Sequence, residues 1–242
     1  MLLSASPARD GGPAPAPGRA AWPARVAVVD EIVEPAAEVE EIPPLEERLA
    51  PGEVHIQLRR TRRRVTIGAG LARRPELVAA VRALPGLPGL ALSPTGGTFV
   101  IGGTGWMGLT AVGLAPDGPA LPLDWMVEAL RRWLAAALAV PLTAGRVEGA
   151  WCPGFSDLGA GGRKLVGLGF RLRRRVAVAR GVLAVTAVAP ADLALLQACH
   201  QLIDLEVQPE SCTSLAELSA DAGWDADRVC RALWGTRLEA GA

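Results

Sequence analysis

The 242-residue chain has no tyrosine, no asparagine and one lysine, Lys164, set against twenty-four arginines. Histidine is nearly as scarce, and each scarcity excludes something. With two histidines, His55 and His200, neither in a motif, a Ser-His-Asp hydrolase is not expected. His55 reads as a structural strand residue. Cys199 and His200 are neighbours in a helical segment, so their side chains diverge by about a hundred degrees and do not share a metal. The four cysteines, Cys152, Cys199, Cys212 and Cys230, lack CxxC spacing, which predicts free thiols. No apolar core follows Met1, and no apolar run is long enough to cross a bilayer without Gly, Pro or charge. The expected location is therefore a reducing cytoplasm, with no membrane partner. Formal charges cancel to +0, which removes any global pull on nucleic acid or membrane.

What is present is half hydrophobic and long enough for one well-buried domain. Residues 1–24, centred on Gly11-Gly-Pro-Ala-Pro-Ala-Pro-Gly18, read as a disordered tail, and residues 25–242 as a single domain. Val26–Val29 reads as a short strand, and the acid-rich stretch from Asp30 to Glu47 as either a short helix or a linker. Alternation predicts adjacent strands at Val54–Leu58 and Arg64–Gly68, then strands over 90–101, 106–114, 146–151, 164–172 and 176–188. Helices are predicted over 75–84, opened by Pro75, and over Leu123–Ala139, with Asp124 as N-cap and a stripe of Met126, Val127, Leu130, Trp133, Leu134, Ala137 and Leu138. Three more follow: one opened by Pro190, one by the capping box Ser214 and Glu217, and one capped by Asp225. Strands and helices without regular alternation point to α+β.

Gly103-Thr-Gly-Trp-Met-Gly108 fits GxGxxG, but a strand rather than a helix is predicted after it, so a dinucleotide site is rejected. The lone lysine is not followed by Ser or Thr, so there is no P-loop. The basic runs Arg59-Arg-Thr-Arg-Arg-Arg64 and Arg171-Leu-Arg-Arg-Arg175 read as solvated turns or as docking surfaces for acidic partners. They contain no interleaved aromatics, so nucleic acid is not expected.

In a chain where arginine supplies nearly all the positive charge, a surviving lysine marks a place for a compact ammonium with rotatable donors. Glu148-Gly-Ala-Trp-Cys-Pro-Gly-Phe-Ser-Asp157 leads through glycines to Gly162-Arg-Lys-Leu-Val-Gly167, which puts Cys152 and Lys164 at the two ends of a flexible loop. A thiol beside an ammonium is expected to titrate low, and its thiolate attacks thioesters. Alternatively the lysine alone holds carboxylate, carbonyl or phosphate oxygens as charge develops.

In chain order, Pro94-Thr-Gly-Gly-Thr98, Gly162-Arg-Lys-Leu-Val-Gly167 with Arg171, Arg180-Gly-Val-Leu-Ala-Val185 and the Thr213-Ser-Leu215 step within 208–218 resemble motifs of the lipoate–protein ligase and octanoyltransferase family, over roughly residues 53–236. The resemblance implies the biotin/lipoate ligase catalytic fold, a mixed, largely antiparallel sheet with flanking helices. It implies that Lys164 takes the catalytic lysine's position and that Thr95, Gly96, Gly97, Thr98, Asp157, Gly162, Arg163, Gly167 and Gly181 bind substrate, with no metal site in the protein. Cys152-Pro-Gly154 is similar to the nucleophile loop of amidotransferase-like octanoyltransferases. The implied reaction moves an octanoyl or lipoyl group from an acyl carrier protein to Cys152, then to the acceptor lysine of a lipoyl carrier domain, without a cofactor. The alternative is an ATP-dependent ligase, with ATP and Mg, in which Lys164 stabilises a lipoyl adenylate. The family's Gly-rich loop is led by two arginines, where this chain has Leu92-Ser93. That departure favours the cysteine route and leaves a third reading, a carrier- or nucleic-acid-binding member with reduced activity.

Overall fold

The structure, a computed structural model, describes residues 24–29, 49–60, 62–93, 95–103, 105–115, 122–173, 175–219 and 223–235. The expected tail lies outside them except for Ala24, as does the acidic stretch from Asp30 to Glu47. The described strands are β1 (Ala24–Val29), β2 (Val54–Arg60), β3 (Arg64–Ile67), β4 (Leu90–Leu92), β5 (Phe99–Gly102), β6 (Trp106–Leu114), β7 (Thr143–Ala144), β8 (Leu158–Ala160), β9 (Arg163–Arg173) and β10 (Val176–Ala184). The helices are α1 (Pro75–Arg82), α2 (Pro122–Leu138), α3 (Pro190–Gln201), α4 (Leu215–Leu218) and α5 (Ala226–Gly235).

Seven strands form one sheet in the order β1-β2-β6-β10-β9-β8-β7, and three form a second in the order β4-β3-β5. The large sheet is antiparallel except where β1 runs parallel to β2. Consecutive side chains on a strand point to opposite faces, so its alternation fixes what each face carries. On one face Ile56, Leu58, Met107, Leu109, Ala111, Ala177, Ala179 and Leu183 join a core with α2, α4 and α5. The α2 stripe is as its spacing predicts, with Met126, Leu130, Trp133 and Leu134 fully buried. On the outer side of α2 Glu128 pairs with Arg131 and Arg132, and the Arg131 guanidinium foremost holds its carboxyl down at about 2.

A second core lies between the small sheet and helices α1 and α3, built on Val65, Ile67, Phe99, Ile101, Leu77, Val81 and Leu196, with Trp106 and Trp151 edge to face at its border. Between the small sheet and the free face of the large sheet lies a cleft. Two strand expectations change here. Val54–Leu58 and Arg64–Gly68 are consecutive but lie in different sheets, because the arginine run between them carries the chain from one layer to the other. Residues 146–151 are turn rather than strand, with Gly149 at φ +74 breaking the extended run. Asp124 sits inside the first turn of α2, which opens at Pro122. The capping box is formed: Ser214 Oγ accepts from Glu217 N at 3.3 Å and donates to its carboxylate at 2.9 Å. Asp225 accepts from Arg228 N at 2.7 Å and caps α5. No described helix is long and apolar enough to cross a membrane.

Candidate active site

The cleft has a volume of about 390 Å³. Its walls come from the β4–β5 loop (Ser93, Thr95 to Thr98), the 152–155 turn, the glycine-rich middles of β9 and β10, and residues of β2, β3 and β6 such as Arg59, Arg64 and Thr110. Of the residues expected to bind substrate, Thr95, Gly96, Gly97, Thr98, Gly167 and Gly181 line it. Gly162 and Arg163 do not. Gly161 and Gly162, at φ +57 and +76, make the tight turn that joins β8 to β9, with Ala160 opposite Arg163. Two consecutive positive φ values match the twist of a two-residue hairpin, and glycine adopts them without strain. The glycine-rich stretch between Cys152 and Lys164 therefore contains an ordered hairpin, not a flexible loop.

That hairpin delivers Lys164 to the 152 turn. Its side chain is 2% exposed, and its Nζ donates to Trp151 O at 3.0 Å and Cys152 O at 2.6 Å and pairs with Asp157 Oδ2 at 2.8 Å. Three donors meet three acceptors. The ammonium thus touches the Cys152 carbonyl rather than its thiol, and it lies beside the cleft, where a Cβ on the cleft-lining Gly167 would come within 3.2 Å of Nζ. Asp157 also accepts from Gly154 N at 2.8 Å and Leu168 N at 3.3 Å, which closes the turn on itself. Burial pushes the Asp157 carboxyl above its ordinary value, and the Lys164 charge opposes that rise. The resemblance placed Asp157 among substrate-binding residues; here it is a buried brace.

The other end of Cys152 is held by a residue the sequence reading set aside. His200 Nδ1–H donates to Leu196 O, four residues back on α3, at 2.7 Å. Nε2 is then an acceptor, and it receives the Thr98 hydroxyl at 2.9 Å and Cys152 N–H at 3.3 Å. Phe99 stands edge-on to the ring at 5.4 Å. Burial foremost keeps His200 below the usual histidine value, so it is neutral. One signal for this was legible: Leu196, Cys199 and His200 share the buried face of α3 at i, i+3, i+4 spacing, and a histidine there must find polar partners.

Cys152 itself has φ +48, an uncommon conformation for a residue with a Cβ. Such strain costs on the order of 1–3 kcal/mol and persists where the surroundings over-determine it. Here His200 holds the residue's N–H, Lys164 holds its carbonyl, and Thr98 N–H donates to Sγ at 3.0 Å. Gly97, at φ +110, makes room: a Cβ there would lie 2.8 Å from Sγ. Cys199 and Cys212 are packing residues, with burial raising both thiols to about 11. Cys212 also bridges Lys164 in parallel register, and Thr213 N donates to Lys164 O at 2.8 Å, so the Thr-Ser-Leu step supports β9 from behind.

The arginine run of 59–64 is not one patch. Arg60 pairs with Asp227 and Arg63 with Asp192, whereas Arg59 and Arg64 face the cleft, where they join Leu92 and Ser93. Ser93 Oγ bonds Thr95 Oγ1 at 2.8 Å and shapes the loop. At the mouth Phe155 is 85% exposed, under the Arg146 guanidinium at 5.8 Å. Among the described residues no group of three or more His, Cys, Asp or Glu is placed to hold a metal ion.

A layered α+β domain of this kind has counterparts among solved structures. No family model and no curated protein matches the chain. A lipoate-protein ligase A bound with ATP superposes with a TM-score of 0.59 at 17% identity, covering 87% of this chain and 82% of that one. A bipartite lipoate protein ligase from Thermoplasma acidophilum, reported with its E2 lipoyl domain, gives 0.55 at 14%, covering 88% and 81%. The LipL1 protein of P. falciparum in complex with lipoate gives 0.55 at 14%, covering 88% and 60%. The chain has the fold of the lipoate–protein ligases, as its motifs implied.

Proposed function

We propose that this protein transfers a medium-length acyl group, of octanoyl or lipoyl type, from a carrier thioester to the acceptor lysine of a lipoyl carrier domain, by way of a thioester on Cys152. The reading is carried by one observation: the Cys152 thiol is in the cleft wall on a strained turn held at both ends, and the Lys164 ammonium is taken up by the carbonyl of that turn. In the first step Sγ attacks the carbonyl of the acyl–S–carrier bond, and the carrier thiol leaves with the proton that Cys152 gives up. In the second, a neutral acceptor amine attacks the Cys152 thioester, the amide forms, and the thiol proton is restored from the amine. Lys164 and His200 position the nucleophile, and each uses its charge or lone pair on the main chain of Cys152. The fold of lipoate–protein ligases and the presence of a lipoyl-domain partner in one of them support a carrier-protein acceptor.

Intact mass after mixing with octanoyl acyl carrier protein tests it. An octanoyl adduct on the wild type that is lost in Cys152→Ser is expected. Acylation of a lipoyl domain that requires ATP and Mg and survives Cys152→Ser would replace this reading with the adenylate-forming one, and no transfer under either condition would leave a carrier-binding protein.

A further inference from the structure

The cleft wall holds a thiol but no side chain of the usual kind to take its proton. Among the described residues that line it there is no aspartate, glutamate or histidine. Lys164 is close to Cys152, but its three donors are taken by Trp151 O, Cys152 O and Asp157 Oδ2, and an ammonium has no acceptor to offer. Thioester chemistry on Cys152 nevertheless moves a proton twice, off the thiol in one half-reaction and off the amine in the other.

One imidazole stands directly behind the wall. His200 is 0% exposed and meets no substrate itself, yet its Nε2 lies 2.9 Å from the hydroxyl of Thr98, which lines the cleft. With Nδ1–H donating to Leu196 O, Nε2 carries the ring's lone pair, and the Thr98 proton points at it. That leaves the hydroxyl's own lone pairs to accept from elsewhere. The main-chain N–H of the same threonine donates to Cys152 Sγ at 3.0 Å, and Cys152 N–H shares Nε2 with the hydroxyl at 3.3 Å, so thiol, hydroxyl and ring form one cluster. A hydroxyl held by an imidazole that a third group orients is the arrangement by which such side chains are activated for proton or acyl transfer.

We infer that Thr98 is a catalytic residue, its hydroxyl relaying protons between the reacting groups and His200. This rests on the acyl-transfer reading and supplies the base which that reading needs. When Sγ attacks the carrier thioester, the thiol proton passes to Thr98 Oγ1 as the hydroxyl's own proton passes to Nε2. The new C–S bond forms, the old one breaks, and the imidazolium returns a proton by the same route to the departing carrier thiolate. When the acceptor amine attacks the Cys152 thioester, its proton enters by that path, the C–N bond forms, the C–S bond breaks, and the proton goes back to the Cys152 thiolate. Burial foremost, with the Lys164 charge beside it, keeps the ring neutral and able to accept. The other titratable groups about the ring are Asp157, paired with Lys164, the Cys152 thiol, and Cys199 next to it on α3; Phe99 covers its edge. The relay therefore closes only on the acid side, below about pH 6.5.

Acylation of the full chain by p-nitrophenyl octanoate, followed by nitrophenolate release and intact mass, tests the relay without a carrier or a lipoyl domain. The wild type is expected to react on Cys152 at a rate that is level above neutrality and falls below about pH 6.5, where His200 takes a proton of its own. Thr98→Val keeps the branched shape and the main-chain donor to Sγ but has no hydroxyl. It should lose about a hundredfold or more near neutrality, and its remaining rate should climb with pH throughout, because only thiolate formed by solvent reacts. Thr98→Ser should restore most of the rate and the level profile. His200→Gln should match Thr98→Val, and the double variant should be no slower than either single, since the two side chains act as one unit. If His200→Gln fails to fold by circular dichroism, the valine and serine variants decide alone. A Thr98→Val rate within about threefold of wild type, a loss that keeps the wild-type pH profile, or an octanoyl adduct on Thr98 itself would each overturn the inference. Hydroxyl-dependent acylation by the ester with none from octanoyl acyl carrier protein would keep the relay and remove the carrier reading. Octanoyl transfer from the carrier that is indifferent to the Thr98 hydroxyl would do the reverse.

Discussion

Replacing Lys164 by methionine keeps most of the stem and removes the ammonium. Asp157 is then a carboxylate, 1% exposed, facing the place its counter-charge left, and the carbonyls of Trp151 and Cys152 lose their donor. Removing one member of a buried ion pair costs about 3–5 kcal/mol, because the remaining charge has neither water nor partner. At about 2–4 °C per kcal/mol for a chain of this length, the melting point should fall by about 6–20 °C. The loss should also depend on pH. Burial already holds the Asp157 carboxyl above its ordinary value against the pull of Lys164. Without that pull it rises further, so between the two folded values the variant carries a proton that the wild type does not. Across that window the deficit shrinks by about 1.4 kcal/mol for each unit the pH falls. Urea unfolding of both proteins over a falling pH series should show the largest gap at the alkaline end and a closing gap toward acid. Lys164→Met with Asp157→Asn should recover part of the loss and flatten the pH response. A deficit under about 1 kcal/mol, or one that never closes toward acid while the wild type stays folded, would refute the buried brace.

Other outcomes are fixed by the same geometry. Because burial holds His200 below its ordinary value, the unfolded chain takes the proton first as pH falls below about 6.5, and stability is lost in that window; unfolding free energies of His200→Gln should lack this component. Gly97→Ala puts a Cβ 2.8 Å from the Cys152 thiol at φ +110, so thioester formation seen by mass should nearly cease, with stability lower by about 1–3 kcal/mol. Trp133→Ala, at a fully buried site of α2 remote from the cleft wall, should cost about 3–5 kcal/mol in denaturant unfolding while leaving transfer per folded molecule intact.

Much of the fold is written locally. The period of α2, the Ser214–Glu217 box, the Asp225 cap and the alternation of β2, β6 and β10 each follow from residues close in sequence. The site is not written that way. Arg59 reads as one of a run of turn arginines until β2 is paired with β6, and only then does its parity turn it into the cleft. His200 lacks a sequence motif because its partners, Cys152 and Thr98, are 48 and 102 residues away. Lys164 and Cys152 were legible as a pair, but not that the ammonium would bind the cysteine's carbonyl. That depends on the two-glycine hairpin setting the register of β9 against β8.

The braces on Cys152 come from far apart along the chain. Thr98 precedes it, Lys164 follows it closely, and His200 lies a helix and a strand pair beyond. During synthesis the cysteine leaves the ribosome well before α3 does, with no acceptor for its N–H. Until α3 packs, the thiol belongs to an ordinary relaxed loop. The Cys152 turn is thus assembled only once α3 is in place, and a nascent or truncated chain that stops before residue 200 carries the cysteine without its aim.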